Sequence, residues 1–448
     1  MTFGVNNTIN CVNQSAIRTD LTSLELLQLT GSECQFNDKC AAFSVACQDV
    51  LPAAACNTGR FVYITSECKY YFSTGAIWTD DVNSLTSSAW AWGEASCGRL
   101  GDNTIVDKSS PVSVVGGFTD WLQMSAGGDH SLGLRSNGTA RTWGLNAAGQ
   151  LGDGTITARS SPVSVVGNFT DWCQVSAGRQ HSLGVRTNGS AWAWGCNNAG
   201  RLGDNTAVNK SSPVPVVGIL NWSQVSAGAA HSLAIRQNGT AWAWGQGSAG
   251  RLGDGTATTK SSAVSVVGGF TDWCQISAGV SGVGFSLAVR QNGSAWAWGC
   301  NNDGQLGDNT VADRSSPVSV EGGFTNWCQV SAGDDHSLGV RQNGSAWAWG
   351  LGACGRLGDD TTVAKSSPVS VVGGFTDWCQ VSAGGLHTIA VRLNGTAWAW
   401  GLGTCGRLGD NSTVNKSSPV SVVGGYTDWW DISAGCDFSL AIRKSCGF

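Results

Sequence analysis

Charged residues are scarce in this sequence of 448 residues, because Asp, Glu, Lys and Arg together make up only 13% of it. Together with 63 glycines, this scarcity is typical of a turn-rich all-β protein and not of a helical one. The formal net charge of -5 leaves no excess of positive charge to attract a phosphate backbone. We therefore expect no nucleic acid among the partners.

The sequence also lacks a membrane-spanning segment and a signal peptide. No apolar run reaches 18 residues, so a membrane-spanning helix is excluded and no membrane insertion is expected. The first seven residues contain no basic segment followed by an apolar run, so no signal peptide is predicted. Because no export signal is found, we expect the 17 cysteines to remain mostly free thiols.

The dominant feature that is present is a repeat. A strand ending in Trp-Gly recurs with spacings of 51, 51, 50, 54, 51 and 51 residues, at Trp92, Trp143, Trp194, Trp244, Trp298, Trp349 and Trp400. In the second copy, four strands are predicted at 162–166, 172–177, 182–186 and 190–194. Asn188-Gly189 predicts a hairpin with a positive φ at both residues. Seven such units predict a seven-bladed β-propeller.

The two ends of the repeat region are predicted to pair with each other. The region begins with a lone fourth strand, 88–92, and ends with the first three strands of a unit, 420–443. We expect residues 88–92 to complete the last blade by pairing with 439–443. Such pairing would leave no exposed sheet edge.

These repeats resemble the regulator of chromosome condensation repeat family. The resemblance rests on Ser-Ala-Gly-x-x-His-Ser-Leu, Asn-Gly, and Trp-Gly followed by Gly-Arg/Gln-Leu-Gly-Asp, and covers about four fifths of the chain. It implies a seven-bladed propeller closed end to end. It implies no single function, since members of that family include a nucleotide-exchange factor for a small GTPase and a plant ultraviolet photoreceptor.

Residues 1–83 lie outside the repeats and are predicted to form a small β-rich module that contains six cysteines. Stretches 60–65, 69–72 and 74–78 predict a three-stranded meander, 84–87 is a predicted linker, and 88–448 is the predicted propeller. Residues 59–78 are similar to small β modules in virion proteins of aquatic tailed phages. That similarity implies that residues 1–83 dock to virion proteins.

The repeated histidines are interpreted as structural. Five of them occupy one position of the repeat, where Phe285 and Phe438 stand in the other two units. The position therefore requires a buried aromatic ring more than a basic group. One histidine per blade would also be spread around the ring of blades and would not converge on a metal ion. We predict no catalytic residues, no cofactor and no metal, and hence no enzyme.

Sequence variation among the units concentrates before this ring position and after Trp-Gly, whereas the turns at the opposite ends of the strands are almost uniform. Both variable segments are expected at one face of the disc. Variable loops on a rigid scaffold are where recognition residues usually lie. The predicted partner-binding residues are Asp129, Arg179, Gln180, Val280, Val283, Phe285, Asp334, Asp335, Leu386 and Asp437.

Together these patterns predict a non-enzymatic binding protein displayed on a phage virion, as a tail fibre or a decoration protein assembled in the host cytoplasm. The variable face would bind a host-surface receptor, either protein or glycan. Two alternatives stay open: an intracellular interaction propeller such as a small-GTPase exchange factor in the cytoplasm, and a bacterial surface adhesin.

Overall fold

The computed structural model describes residues 85–218, 220–280 and 284–446, together with the backbone of four strands nearer the start of the chain. The chain divides into two compact units, Met1–Val82 and Asn83–Phe448. In the first unit the strands form one sheet in the order β1 (Ser44–Val45), β2 (Phe61–Ile64), β3 (Lys69–Ser73) and β4 (Trp78–Thr79). The last three run antiparallel as a meander, as predicted. Stretch 74–77 and the six cysteines lie outside the described residues.

The described part of the second unit forms seven four-stranded antiparallel sheets, which are the blades of a propeller. Its first two strands are β5 (Leu85–Gly93) and β6 (Lys108–Ser113). Blade 1 contains β7 (Trp121–Ala126), β8 (His130–Arg135), β9 (Ala140–Gly144) and β10 (Arg159–Ser164). Blade 2 contains β11 (Trp172–Ala177), β12 (His181–Arg186), β13 (Ala191–Gly195) and β14 (Lys210–Pro215). Blade 3 contains β15 (Trp222–Ala227), β16 (His231–Arg236), β17 (Ala241–Gly245) and β18 (Lys260–Ser265).

The remaining blades follow the same order. Blade 4 contains β19 (Trp273–Ala278), β20 (Phe285–Arg290), β21 (Ala295–Gly299) and β22 (Arg314–Ser319). Blade 5 contains β23 (Trp327–Ala332), β24 (His336–Arg341), β25 (Ala346–Gly350) and β26 (Lys365–Ser370). Blade 6 contains β27 (Trp378–Ala383), β28 (His387–Arg392), β29 (Ala397–Gly401) and β30 (Lys416–Ser421). Blade 7 contains β31 (Trp429–Ala434), β32 (Phe438–Cys446), β5 and β6.

The predicted seven-bladed propeller is confirmed, but the predicted grouping of strands into blades was wrong by one strand. The stretch 162–166 was assigned as the first strand of its unit. In the structure β10 instead pairs with β9 as the last strand of the preceding blade, with Gly144 opposite Arg159. The long loop after each Trp-Gly therefore leads back along the same blade, and the shorter connection that follows crosses to the next one.

The predicted ring closure is confirmed. Ser439 pairs with Trp92 and Arg443 with Ser88, within a pairing that runs from Phe438–Gly93 to Cys446–Leu85. Two details differ from the prediction. Blade 7 takes two strands from each end of the repeat region instead of three and one. Residues 85–87, predicted as linker, belong to β5 and pair with residues 444–446.

The first strand of every blade lies next to the axis, and hydrogen bonds join each first strand to its neighbours. A glycine directly follows the first strand of each blade. The backbone N–H of the next residue donates to the carbonyl of the equivalent glycine in the following blade, as Gly128 N does to Gly178 O at 3.1 Å. Seven such bonds of 3.0 to 3.3 Å complete the circle, the last from Cys436 N to Gly127 O. In a second ring of seven, serine hydroxyls accept from the next blade, as Ser125 Oγ does from Ala177 N at 2.9 Å.

The hydrophobic core lies in layers between blades. In one layer Leu132 and Leu134 of blade 1 pack against Trp172 and Trp194 of blade 2. The ring centroids of these two tryptophans are 5.9 Å apart, and Trp194 Nε1 donates to Gln150 O at 3.0 Å. Burying a tryptophan removes about 150–250 Å² from water, which at ~25 cal/mol per Å² is several kcal/mol as an upper bound. In the structure these tryptophans therefore serve the packing between blades.

Candidate functional site

Two sets of loops share one end of the blades. Because His181 pairs with Gly195, the loop before His181 and the loop after Gly195 leave the sheet at the same end. We call this surface the loop face. It consists of the loops between first and second strands, 127–129, 178–180, 228–230, 279–284, 333–335, 384–386 and 435–437, and those between third and fourth strands, 94–107, 145–158, 196–209, 246–259, 300–313, 351–364 and 402–415.

Most of the predicted partner-binding residues reach the surface here. Arg179 and Gln180 are exposed. The half-buried ones are Asp129, Asp334, Asp335, Leu386 and Asp437. We call the loops between first and second strands the inner loops. The face that carries sequence variation therefore presents several acidic side chains and one exposed arginine on its inner loops.

Two of the predicted contact residues do not lie on the surface. Phe285 is 0% exposed and begins β20, where it takes the place of the buried histidine of other blades. Val280 is 7% exposed, and its N–H belongs to the ring of backbone bonds around the axis. Neither can contact a partner directly, so including them in the contact surface was wrong. Val283 lies outside the described residues.

Buried arginines hold the acidic side chains of the loop face. Arg99 Nη2 lies 2.9 Å from Asp129 Oδ1, and Arg407 Nη1 lies 2.7 Å from Asp437 Oδ1. The carboxylates remain 32% and 35% exposed, whereas both arginines are almost fully buried. The prediction missed these arginines. Their signal is the Arg of Gly-Arg-Leu-Gly, which alternates with Gln between units.

Asp334 is the most perturbed carboxyl of the loop face. Burial, together with the nearby Asp335, raises the pKa of Asp334 to about 7, although Arg179 and Arg356 oppose the rise. Its Oδ1 is buried and forms no hydrogen bond within the described residues. Burial therefore favours the neutral form of this carboxyl.

An outer ring of exposed aliphatic side chains was not predicted either. They are 61% to 71% exposed and follow the Gly-Asp-x-Thr/Ser turn of the loops between third and fourth strands. Their members are Ile105, Val106, Ile156, Val208, Val311, Val363 and Val414. They come from six of the seven loops, all except that of blade 3, and add hydrophobic contact area to the loop face.

The five histidines serve the packing between blades. Ser182 Oγ donates to Gln150 O at 2.8 Å and therefore accepts from His130 Nε2 at 2.8 Å. His130 is fully buried, and burial lowers its pKa to about 3. A neutral imidazole held this way agrees with the predicted structural role. Among the described residues no three of His, Cys, Asp and Glu are grouped as metal ligands would be.

The uniform turns at the opposite face have a packing cause. Gly189 has φ 75°, whereas Asn188 keeps a negative φ, so the prediction of two positive φ angles was wrong. A Cβ on Gly189 would lie 2.9 Å from Asn221 Cα of the next blade. These turns are therefore constrained by the adjacent blade, and their uniformity alone is not evidence that the loop face binds.

In the described residues no helix is both long and apolar enough to cross a membrane. No disulfide joins the ten propeller cysteines whose side chains the structure describes. The model of the family described as RCC1-like domain matches residues 88–441. This chain belongs to the RCC1-like domain family. That assignment agrees with the repeat motifs, the seven blades and the closure of blade 7.

Among relatives of this RCC1-like chain, the Arabidopsis thaliana ultraviolet-B receptor UVR8 is 28% identical over 337 residues. The aligned region covers 74% of this chain and 64% of the receptor. The probable E3 ubiquitin-protein ligase HERC3 of Homo sapiens is 32% identical over 159 residues, which is 35% of this chain and 15% of the ligase. The chain thus spans less than two thirds of the length of either relative.

Solved structures share the fold of this RCC1-like chain. Human WBSCR16 matches with a TM-score of 0.72 and 21% identity, over 80% of this chain and 99% of that one. Prp20p of Saccharomyces cerevisiae, in a study of its binding to Gsp1p and histones, matches with a TM-score of 0.71 and 21% identity. That match covers 81% of this chain and 94% of Prp20p. Such identities support the fold alone.

Proposed function

We propose that this protein is a non-enzymatic binding propeller and that a macromolecular partner contacts its loop face. The observation that carries this proposal is the composition of that face. It combines variable inner loops, half-exposed carboxylates held by buried arginines, and an outer ring of exposed aliphatic side chains. A ring of seven backbone hydrogen bonds holds the start of each inner loop, which reduces the ordering entropy lost there when a partner binds.

The finer proposal is that the propeller is displayed on a phage virion, as a tail fibre or decoration protein. Residues 1–83 would attach it to virion proteins, and the loop face would bind a host-surface receptor, either protein or glycan. The support is the similarity of residues 59–78 to virion modules of tailed phages. Prp20p, which has this fold, was studied for its binding to Gsp1p and histones, so a propeller of this fold can bind protein partners.

The test replaces the distinctive inner loops with the plainest one in the chain. Residues 280–284 and Asp334-Asp335 are each exchanged for Ala-Ala, which is the native pair Ala229-Ala230 of blade 3. Phe285 is retained because it is part of the core. The fluorescently labelled variant should lose binding to host cells while its melting temperature stays nearly unchanged.

A matched control is Leu220→Ser, which changes an exposed side chain at the opposite face. It should bind host cells as the native chain does. Cell binding that survives the loop exchange would contradict the role of the loop face. If purified virions did not contain the chain, the proposed display on a phage virion would be contradicted. If the chain accelerated nucleotide release from a small GTPase, the exchange-factor alternative would be favoured.

A further inference from the structure

Arg201 of blade 2 is a buried cation with an unusual set of partners. Its side chain lies in the third-to-fourth-strand loop, and the residue is only 8% exposed. Within the described residues the one hydrogen bond of its guanidinium runs from Nη1 to Ala229 O of blade 3, at 2.8 Å. The Nε–H is buried without a partner. Leaving a buried donor of a charged group unpaired is costly, so this arrangement needs an explanation.

The loop that carries Arg201 has the conformation of the loops in blades 1 and 4, which carry glutamine at this position. In blades 7, 3, 5 and 6 the loop forms a 3₁₀ turn, and the arginine Nε–H donates to the carbonyl three residues earlier, as Arg356 does to Ala353 O at 3.0 Å. In blades 1 and 4 the loop is built around a buried Asn, and a glutamine closes it, as Gln150 Oε1 does by accepting from Ala148 N. Blade 2 has the buried Asn197 but carries Arg201 in place of glutamine. Its guanidinium therefore has no function within its own loop.

Two of the other arginines at this position are neutralised by an aspartate of the next blade. Asp129 is the last residue of the blade 1 loop that faces Arg99, and Asp437 is the last residue of the blade 7 loop that faces Arg407. The equivalent residue facing Arg201 is Ala230. No carboxylate of the described residues lies within ion-pair distance of Arg201. The buried Arg251 next to it adds a second positive charge, and Arg201 contributes to lowering the pKa of Arg251, after burial itself.

We propose that Arg201 anchors a pocket for a carboxylate supplied from outside the chain, by an Asp or Glu side chain of a protein partner. An acidic side chain is favoured because Asp side chains occupy the same site in blades 7 and 6. The carboxylate contacts Nη2, the nitrogen by which Arg99 holds Asp129 and which has no hydrogen bond in Arg201. A charge-assisted bond of this kind is among the stronger polar contacts of an interface.

This inference deepens the proposed function, because the pocket lies on the loop face. Small carboxylates test it on the whole isolated chain, and the loop exchange described above leaves Arg201 and Ala230 in place. A failure of the pocket is therefore distinguishable from a failure of partner binding at blades 4 and 5.

The experiment measures binding of N-acetyl-glutamate amide to the full chain by ligand-observed NMR. The native chain should bind with saturation. Arg201→Gln installs the native residue of blades 1 and 4, so it should keep the melting temperature while weakening binding at least ~10-fold. Ala230→Asp supplies an internal carboxylate where blade 1 has Asp129, and should also abolish binding while raising the melting temperature.

A control for net charge is Arg290→Gln, which removes an arginine paired with Asp272 in blade 4 at the opposite face. It should bind the probe as the native chain does. Equal binding by the Arg201→Gln variant, or no saturation up to about 10 mM, would overturn the proposal. Tighter binding of N-acetylneuraminic acid than of the glutamate amide would overturn the assignment to an acidic side chain.

Discussion

The buried histidines illustrate what a single position reveals. The sequence alone predicts their structural role, because Phe285 and Phe438 stand at the same position. Their protonation could not be predicted, since it depends on a serine or threonine hydroxyl of the next blade. That hydroxyl donates to a loop carbonyl, as Ser439 Oγ does to Arg407 O at 3.0 Å, so the histidine must supply the hydrogen from Nε2. The partners of Arg99 and Arg201 were likewise hidden, because they come from a neighbouring blade.

A prediction at this scale concerns acid sensitivity. Below pH 6.5 an unfolded chain protonates His130, whereas the folded chain does not until about pH 3, because burial lowers the pKa. The free energy of unfolding therefore falls as the pH drops from 6.5 towards 3, and His130 contributes up to about 2 kcal/mol of that loss by pH 5. His130→Phe should lose correspondingly less stability between pH 7 and pH 5 in denaturant unfolding.

The reverse variant, Phe438→His, adds one buried imidazole and should lose more stability over the same interval. Other groups with shifted pKa values, such as Asp334, are shared by all three chains and cancel in the comparison. Identical acid losses in the three chains would show that the ring position is not protected from protonation.

At the scale of elements, the sequence predicts the strands better than their partners. The period locates every strand to within a few residues. It does not determine whether the strand after each long loop pairs backward or forward. The connection 216–221 is shorter than the loop 196–209, which favours a hairpin between the strands it joins. In the structure that short connection crosses between blades, because it carries the chain from the periphery back to the axis.

Turn packing yields a prediction with an internal control. Gly138 and Gly117 have similar φ angles of 71° and 67°, so alanine adds similar backbone strain at both, about 1 kcal/mol. A Cβ on Gly138 would collide with Thr170 O of the next blade, whereas one on Gly117 meets nothing within 4 Å. Gly138→Ala should therefore lower the free energy of unfolding by at least ~2 kcal/mol more than Gly117→Ala.

Denaturant unfolding of both variants checks this difference. Equal losses would mean that the turns of the opposite face do not depend on the adjacent blade. Their uniform sequence would then again call for an explanation in binding.

At the scale of the whole molecule, stability depends on closing the ring. The sequence predicts the closure because one end has a strand too many and the other a strand too few. The extra pairs at residues 85–87 could not be predicted, since Leu-Thr-Ser carries no pattern that distinguishes a strand from a linker. Function is less accessible at this scale, because the same ring serves proteins with different partners.

Two truncations test the closure. A chain that begins at residue 85 keeps β5 and should melt cooperatively near the native temperature. A chain that begins at residue 94 loses β5, which leaves β32 and β6 without their shared partner in blade 7. Its melting temperature should fall by well over ~10 °C. If both truncations melt alike in calorimetry, the pairing of β5 with β32 does not hold the ring.

The closing pair also determines how the propeller responds to mechanical load. Leu85 and Cys446 are paired at one end of two antiparallel strands. Tension between these two residues acts on one pair at a time, so β5 would peel away from β32 at low force. Tension between Leu85 and a loop-face residue such as Gln180 runs through strands of several blades instead. The disc is therefore mechanically anisotropic, weak when pulled by its two ends and strong when pulled between its first strand and the surface proposed to bind.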